Sequence, residues 1–203
     1  SSACGNATRC VARYLMKQSD QGQIFLKTDH GVLEAKDVGQ GLTSVNMGHP
    51  AFSWQDIPLA EPVETLSLPI AGAPVATNMG NPHCTFFVAD AEAIDMSLEA
   101  APVEHHPLFP ERTNVQFVSI IGRNHLRMRV WERGVGVTLA SGSSSCATLV
   151  AAYRRGITGK SAQINSDGGT MHVEWCDGGV WLTGPTMHVF SGSLTSEYLE
   201  KTK

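Results

Sequence analysis

Charge is scarce in this chain. Asp, Glu, Lys and Arg make up 17% of its 203 residues, the net charge is −4, and no basic run or stripe occurs. That argues against nucleic acid or an anionic membrane surface as the main partner. Long apolar runs are missing as well; the longest lies around Cys146 to Tyr153 and is too short to cross a bilayer. No signal-type segment opens the chain and Ser1 stands first without an initiator Met, so the sequence reads as a fragment or a processed form. Paired cysteines are absent: Cys4, Cys10, Cys84, Cys146 and Cys176 form no C-x-x-C, and Cys4 with Cys10 lacks the second pair that zinc needs. An odd set of unpaired thiols fits a reducing, cytoplasmic setting and no metal site. Nucleotide and hydrolase signatures also fail. Gly159-Lys160-Ser161 ends like a P-loop, but the required first Gly would fall at Arg154. Gly142-Ser143-Ser144-Ser145-Cys146 lacks the closing Gly of a nucleophile elbow, and no G-x-G-x-x-G follows a strand.

What is present is short alternating strands. The patterning predicts them at 23–28, 32–36, 42–47, 75–79, 84–89, 115–121, 126–131, 162–165, 171–175, 180–182 and 187–190. Asp29-His30-Gly31, Arg123-Asn124, Asp167-Gly168-Gly169 and Asp177-Gly178-Gly179 supply hairpin turns. Helices are expected over 7–17, with Val11, Tyr14 and Leu15 on the buried face, over 145–155 with Gly156 as a stop, and over 194–201. At 42% hydrophobic residues the chain can bury a core, in one large domain or two small ones. Strands outnumber helices and each half holds one central helix. The expected fold class is therefore α+β, with two similar lobes and the active site between them. Asn46-Met47-Gly48-His49-Pro50 is echoed in Asn78-Met79-Gly80-Asn81-Pro82, a match short enough to arise by chance.

Two other segments read as copies of one device. Ala3-Cys4-Gly5-Asn6 and Ala140-Ser141-Gly142-Ser143 each place a nucleophile-type side chain before Gly and a short polar residue, and each then opens a helical stretch. A helix start offers unpaired N–H groups that lower a thiol pKa and cradle a carboxylate. Two such turns face to face would set proton-transfer groups on opposite sides of one anion. Cys4 fits a thiolate of this kind and, on local sequence, fits a buried structural cysteine about as well. Asn81-Pro82-His83, taken alone, fits a capped turn with an exposed His better than a site. Glu132 with Arg133 reads either as a surface ion pair or as a guanidinium fork for a second carboxylate. Gly134, Gly136 and Gly142 favour a close-fitting loop there.

Taken together, Ala-Cys-Gly-Asn-Ala-Thr-Arg-Cys (3–10), Gly-Asn-Pro-His-Cys (80–84), Phe-Pro-Glu-Arg-Thr-Asn-Val (109–115) and Glu-Arg-Gly-Val-Gly-Val-Thr (132–138) resemble the diaminopimelate epimerase family. Ser-Gly-Ser (141–143) and Leu-Thr-Gly-Pro (182–185) continue the resemblance in the same order, over nearly the whole chain. It implies two pseudo-symmetric lobes, each around a central helix, with residues 1–48 and 190–203 in the remainder of an N-terminal lobe and 49–189 in the C-terminal one. The family's first strands and an early substrate-contacting Asn are then missing. The implied reaction is cofactor-independent conversion of LL- to meso-diaminopimelate, for lysine and peptidoglycan synthesis, with two cysteines moving the proton.

Cys4 matches one of those cysteines and Ser141 stands in place of the other. The resemblance further implies polar or catalytic roles for His83 and Glu132. It implies substrate contacts at Asn81, Asn114, Glu132 and Arg133, and carboxylate cradles at Gly5-Asn6 and Gly142-Ser143. The implied partners are the amino-acid substrate and a second copy in a homodimer, with no cofactor. Val137 stands where many members have Glu. Ser141 predicts impaired turnover, because a hydroxyl has no accessible anion without a nearby base. The competing readings are a dehydratase or isomerase of the proline-racemase type and a non-catalytic amino-acid-binding homologue.

Overall fold

Alternating apolar residues between Gly-containing turns build one mixed sheet in the computed structural model, which describes residues 4–28 and 31–201. The first three strands, β1 (Gln23–Thr28), β2 (Gly31–Gly39) and β3 (Leu42–Asn46), run antiparallel to their neighbours. β4 (Val75–Asn78) pairs antiparallel with β5 (Pro82–Phe87), which lies parallel to β6 (Asn114–Gly122). Next come β7 (His125–Glu132) and the short β8 (Gly136–Thr138). β9 (Ser161–Ser166), β10 (Gly169–Cys176) and β11 (Gly179–Pro185) complete the set. Their order is β1-β2-β3-β11-β10-β9-β7-β6-β5-β4, with β8 on β7. β11 pairs with β3, so the sheet runs without a break from the first strands to the last.

Two long helices sit on this sheet with unequal burial. α1 (Gly5–Ser19) buries Gly5, Arg9, Ala12 and Met16, whereas α2 (Met96–Glu104) covers part of β6 and β7. α3 (Gly142–Arg154) buries eleven of its thirteen residues. Its Cys146, Leu149 and Val150 pack with Leu126, Met128, Ile164, Val173 and Leu182, all without solvent exposure. α4 (Ser196–Glu200) buries none. The fold is α+β, and no helix among the described residues is long and apolar enough to cross a membrane.

Several expectations need correction. Val11, Tyr14 and Leu15 are 49%, 56% and 37% exposed, because α1 turns the opposite side, with Gly5, Arg9, Ala12 and Met16, inward. Ala12 and Met16 pack there against Ala35 and Val45. No strand forms over 187–190: β11 ends at Pro185, no backbone ladder continues through these residues, and Met187, Val189 and Phe190 stay at least 80% exposed. Alternation alone does not make a strand without a neighbour to receive its hydrogen bonds. α1 and α3 start earlier than expected, at Gly5 and Gly142. α4 is shorter than the predicted 194–201. The turns at 123–124, 167–168 and 177–178 form, whereas Asp29 and His30 lie outside the described residues.

Two unexpected elements position the site. α2 is capped by the Asp95 carboxylate, which accepts from Ser97 N–H and Leu98 N–H, and it contains Pro102. Its last residue, Glu104, is 3% exposed and reaches the β7–β8 turn. Trp131 Nε1–H donates to Glu104 Oε2 at 2.6 Å and Gly134 N–H donates to Oε1 at 2.8 Å. Burial alone would raise this carboxyl; those two hydrogen bonds, with His105 and Arg112 nearby, bring it below the usual carboxylate range. The turn itself closes by Val135 N–H on Glu132 O, and Gly134 takes φ +73°, which favours glycine.

The echo of 46–50 in 78–82 proves structural. Gly48 N–H donates to Asn46 Oδ1 at 2.9 Å, and Gly80 N–H to Asn78 Oδ1 at 2.6 Å. Both glycines take positive φ, +83° and +90°. Each segment is an Asx turn following a strand. The first also carries the seam of the sheet: Asn46 Nδ2 donates to Gly178 O, and Val180 N–H donates to Gly48 O.

Two outcomes are expected. Gly179→Ala should lower stability by about 1–3 kcal/mol in urea titrations, because Gly179 takes φ +117° and an added Cβ would lie 2.9 Å from Gly48 O. Glu104 has a depressed folded-state pKa, so its stabilisation is present above the unfolded-state value and is lost as pH falls through the folded one. The stability gap between the protein and Glu104→Gln should therefore be wide at pH ~7 and narrow at pH ~3.

Candidate active site

The two helix starts are built alike. Cys4 caps α1 in extended backbone at φ −134°, ψ 100°, and Ser141 caps α3 at φ −135°, ψ 124°. Thr8 donates both its N–H and its hydroxyl to Cys4 O, each at 2.9 Å. Ser145 does the same to Ser141 O, at 3.0 and 2.9 Å. The caps differ in one respect. Ala7 N–H donates to Cys4 Sγ at 3.5 Å, while the Ser141 hydroxyl makes no capping hydrogen bond.

Glycine at the next position lets the two starts touch. A Cβ on Gly142 would lie 2.8 Å from Leu182 Cδ2 and 3.1 Å from Gly5 Cα. A Cβ on Gly5 would meet the same Leu182 atom at 3.0 Å and Met47 Cε at 3.2 Å. Small residues here are demanded by contact, and helical conformation leaves the first N–H groups of both helices without intrahelical acceptors. These donors border a cavity of about 360 Å³. It is lined by Cys4, Gly5 and Asn6 from α1 and by Ser141, Gly142 and Ser143 at the start of α3. Asn81, Asn114, Glu132 and Arg133 line its remaining walls, with Gly80, Val135 and Ala140.

Most of the polar side chains are held by others. Asn6 Oδ1 accepts from Arg9 Nη2 at 3.1 Å, and Asn6 Nδ2 reaches Ala140 O at 3.5 Å. Asn114 spends both ends of its amide, donating to Pro82 O at 2.9 Å and accepting from Arg133 N–H at 3.0 Å. Glu132 and Arg133 do not pair with each other. Glu132 Oε1 accepts from Thr138 Oγ1 at 2.7 Å, and Arg133 Nη1 donates to Glu111 O at 3.0 Å. Gly134 and Gly136 belong to the β7–β8 hairpin, and Gly142 is the first helical residue of α3 instead of a loop residue.

His83 is the predicted site residue that the cavity does not reach. It is fully buried behind Asn81, not exposed in a capped turn, because β5 begins at Pro82 and lies between β4 and β6. Burial, with the positive charge of Arg133, pulls its imidazole down to about 3. His83 is thus neutral at physiological pH and is no proton donor of the imidazolium kind.

Burial also sorts the cysteines. Cys84 is raised by burial, and Cys146 is pushed up to about 12 by burial, partly offset by Arg9. Both are inert as thiolates at neutral pH. Cys4 is exposed on the cavity and Cys10 lies outside it. Among the described residues, no group of three or more His, Cys, Asp or Glu side chains could hold a metal ion.

Sequence reasoning missed three supporting residues. Gln116, on β6, could have been found as an amide between Val115 and Phe117 in an apolar strand. Arg9, 5% exposed and donating to Met171 Sδ at 2.9 Å, breaks the expectation that a helical Arg faces solvent. Glu104 carries no local signal, since its partners come from a distant turn.

The chain resembles known proteins in sequence and in fold. The sequence model of the family described as Diaminopimelate epimerase matches residues 75–189. A diaminopimelate epimerase of Rhodospirillum centenum is 46% identical over 98% of this chain and 70% of its own length. One from Acidiphilium cryptum is 47% identical over 98% of this chain and 74% of its own length. Among solved structures, a predicted epimerase from Pseudomonas aeruginosa superposes with a TM-score of 0.66 at 18% identity, covering 93% of this chain and 73% of that one. A probable proline racemase from Agrobacterium radiobacter gives 0.61 at 15% identity, covering 91% of this chain and 65% of that one. Those two likenesses concern the fold. The sequence matches go further: this chain belongs to the diaminopimelate epimerase family.

Proposed function

We propose that this cavity inverts an amino-acid α-carbon, converting LL-diaminopimelate to meso-diaminopimelate in lysine and peptidoglycan biosynthesis. Cys4 acts as the proton-transfer group on one face and Ser141 stands as a weak partner on the other. The observation that carries this reading is the pair of helix caps, matched in backbone geometry and bordering one cavity.

The chemistry follows from what the caps provide. The α-carboxylate of the substrate fits between the unpaired N–H groups of Gly5 and Asn6 and those of Gly142 and Ser143. As the α-proton leaves, negative charge spreads onto that carboxylate, where fixed N–H dipoles already point. Arg133 retains guanidinium donors beyond the one given to Glu111 O, enough for the far carboxylate. A thiolate at Cys4 takes the α-proton, and the group opposite must deliver one.

Ser141 makes the second step hard. Its hydroxyl has to become an alkoxide, and no histidine or lysine lines the cavity among the described residues. The lining carboxylate, Glu132, is engaged by Thr138. Proton exchange on the Cys4 face therefore outpaces inversion.

In D₂O, LL-diaminopimelate should gain deuterium at one α-carbon faster than it forms the meso isomer. Ser141→Cys should raise the inversion rate by ~10²-fold or more, and Cys4→Ala should abolish both exchange and inversion. Exchange that survives Cys4→Ala, or a keto or imine product, would overturn the reading.

A further inference from the structure

Behind the cavity wall lies a chain of polar side chains that the proton-transfer chemistry does not itself use. Gln116 is fully buried in the middle of β6, and its register partner on β5 is Thr85, equally buried. The Thr85 hydroxyl donates to Gln116 Oε1 at 3.1 Å. That leaves the amide nitrogen facing two acceptors, Ser144 Oγ on the first turn of α3 and His83 Nδ1, each at 3.0 Å. An imidazole nitrogen that accepts a hydrogen bond carries no proton, so His83 holds its proton on Nε2. Nε2–H then donates to Asn81 Oδ1 at 2.8 Å. With its oxygen taken, Asn81 has its NH₂ to offer the cavity that it lines.

We infer that Gln116 is a positioning residue which, by fixing the tautomer of His83, turns the NH₂ of Asn81 toward an anionic group of the substrate. The inference rests on the reading of Asn81 as a substrate contact. Turned round, the Asn81 amide would set a carbonyl oxygen against a carboxylate, replacing an attraction with a repulsion. Thr85, Gln116, His83 and Ser144 all have 0% exposure, so each link must be supplied by the next side chain. His83 is flanked in register by Thr77 of β4 and Asn114 of β6, both uncharged, and Arg133 is the charged group acting on it. Nothing around the ring favours a second proton.

Gln116→Glu tests the relay at constant shape. An ionised carboxylate still accepts from Thr85, but its other oxygen can no longer donate to His83 Nδ1; it accepts from the Ser144 hydroxyl and draws the imidazole proton from Nε2 to Nδ1. In ¹⁵N spectra of the imidazoles, with His83 assigned by its loss in His83→Gln, the unsubstituted protein should show the Nε2–H tautomer without titration from pH ~5 to ~8. Gln116→Glu should show Nδ1 protonated, and its Kd for meso-diaminopimelate by calorimetry should rise about tenfold or more, the scale of one lost hydrogen bond. Gln116→Met, which keeps the bulk and removes the donor, should weaken binding in the same direction.

An Nδ1–H tautomer in the unsubstituted protein overturns the inference, whether or not the variants fold. So does an unmoved Kd in a folded Gln116→Glu whose tautomer has switched. If the unsubstituted protein does not bind diaminopimelate, the functional reading fails instead, and the spectra still decide the state of the relay.

Discussion

The contact between two helix beginnings governs the rest of this structure. Gly5 and Gly142 meet under Leu182 with no room for a Cβ on either, and every site feature is referred to that contact. It brings the caps at Cys4 and Ser141 to one cavity, and with them the N–H donors of two helix starts. Each helix alone would offer one partial positive end. Together they border one cavity with backbone N–H donors, which do not titrate. The side chains around it then need only hold position, and most of them do.

Amides do much of that holding. Asn114 ties Pro82 to Arg133, Asn6 bridges Arg9 and Ala140, and Asn46 and Asn78 fix two matching turns. An amide suits the task because it donates and accepts at once without changing charge with pH. Two charged side chains, Glu132 and Arg133, do line the cavity, on a turn that Glu104 clamps from behind.

Much of this was legible in the sequence, for identifiable reasons. The paired cap segments were visible because capping uses few residue types in fixed order, and the strands because burial on one face imposes a period of two. The buried face of α1 was misread because the apolar Val11, Tyr14 and Leu15 share one side, whereas the side turned inward carries Ala12 and Met16 together with a charged Arg9. The strand expected at 187–190 had the right alternation and no neighbour. His83 looked like an exposed loop residue because Pro82 signals a turn, while the chain there enters a buried strand. The echo around Gly48 and Gly80 was discounted as chance, and only hydrogen bonding distinguishes a repeated turn from a repeated word. Glu104 and Gln116 act on partners remote in sequence, which local patterns do not encode.

The two long helices are unequally embedded. α3 has eleven of thirteen residues enclosed and α1 four of fifteen. The sulfur is therefore mounted on the less enclosed support and the hydroxyl on the more enclosed one.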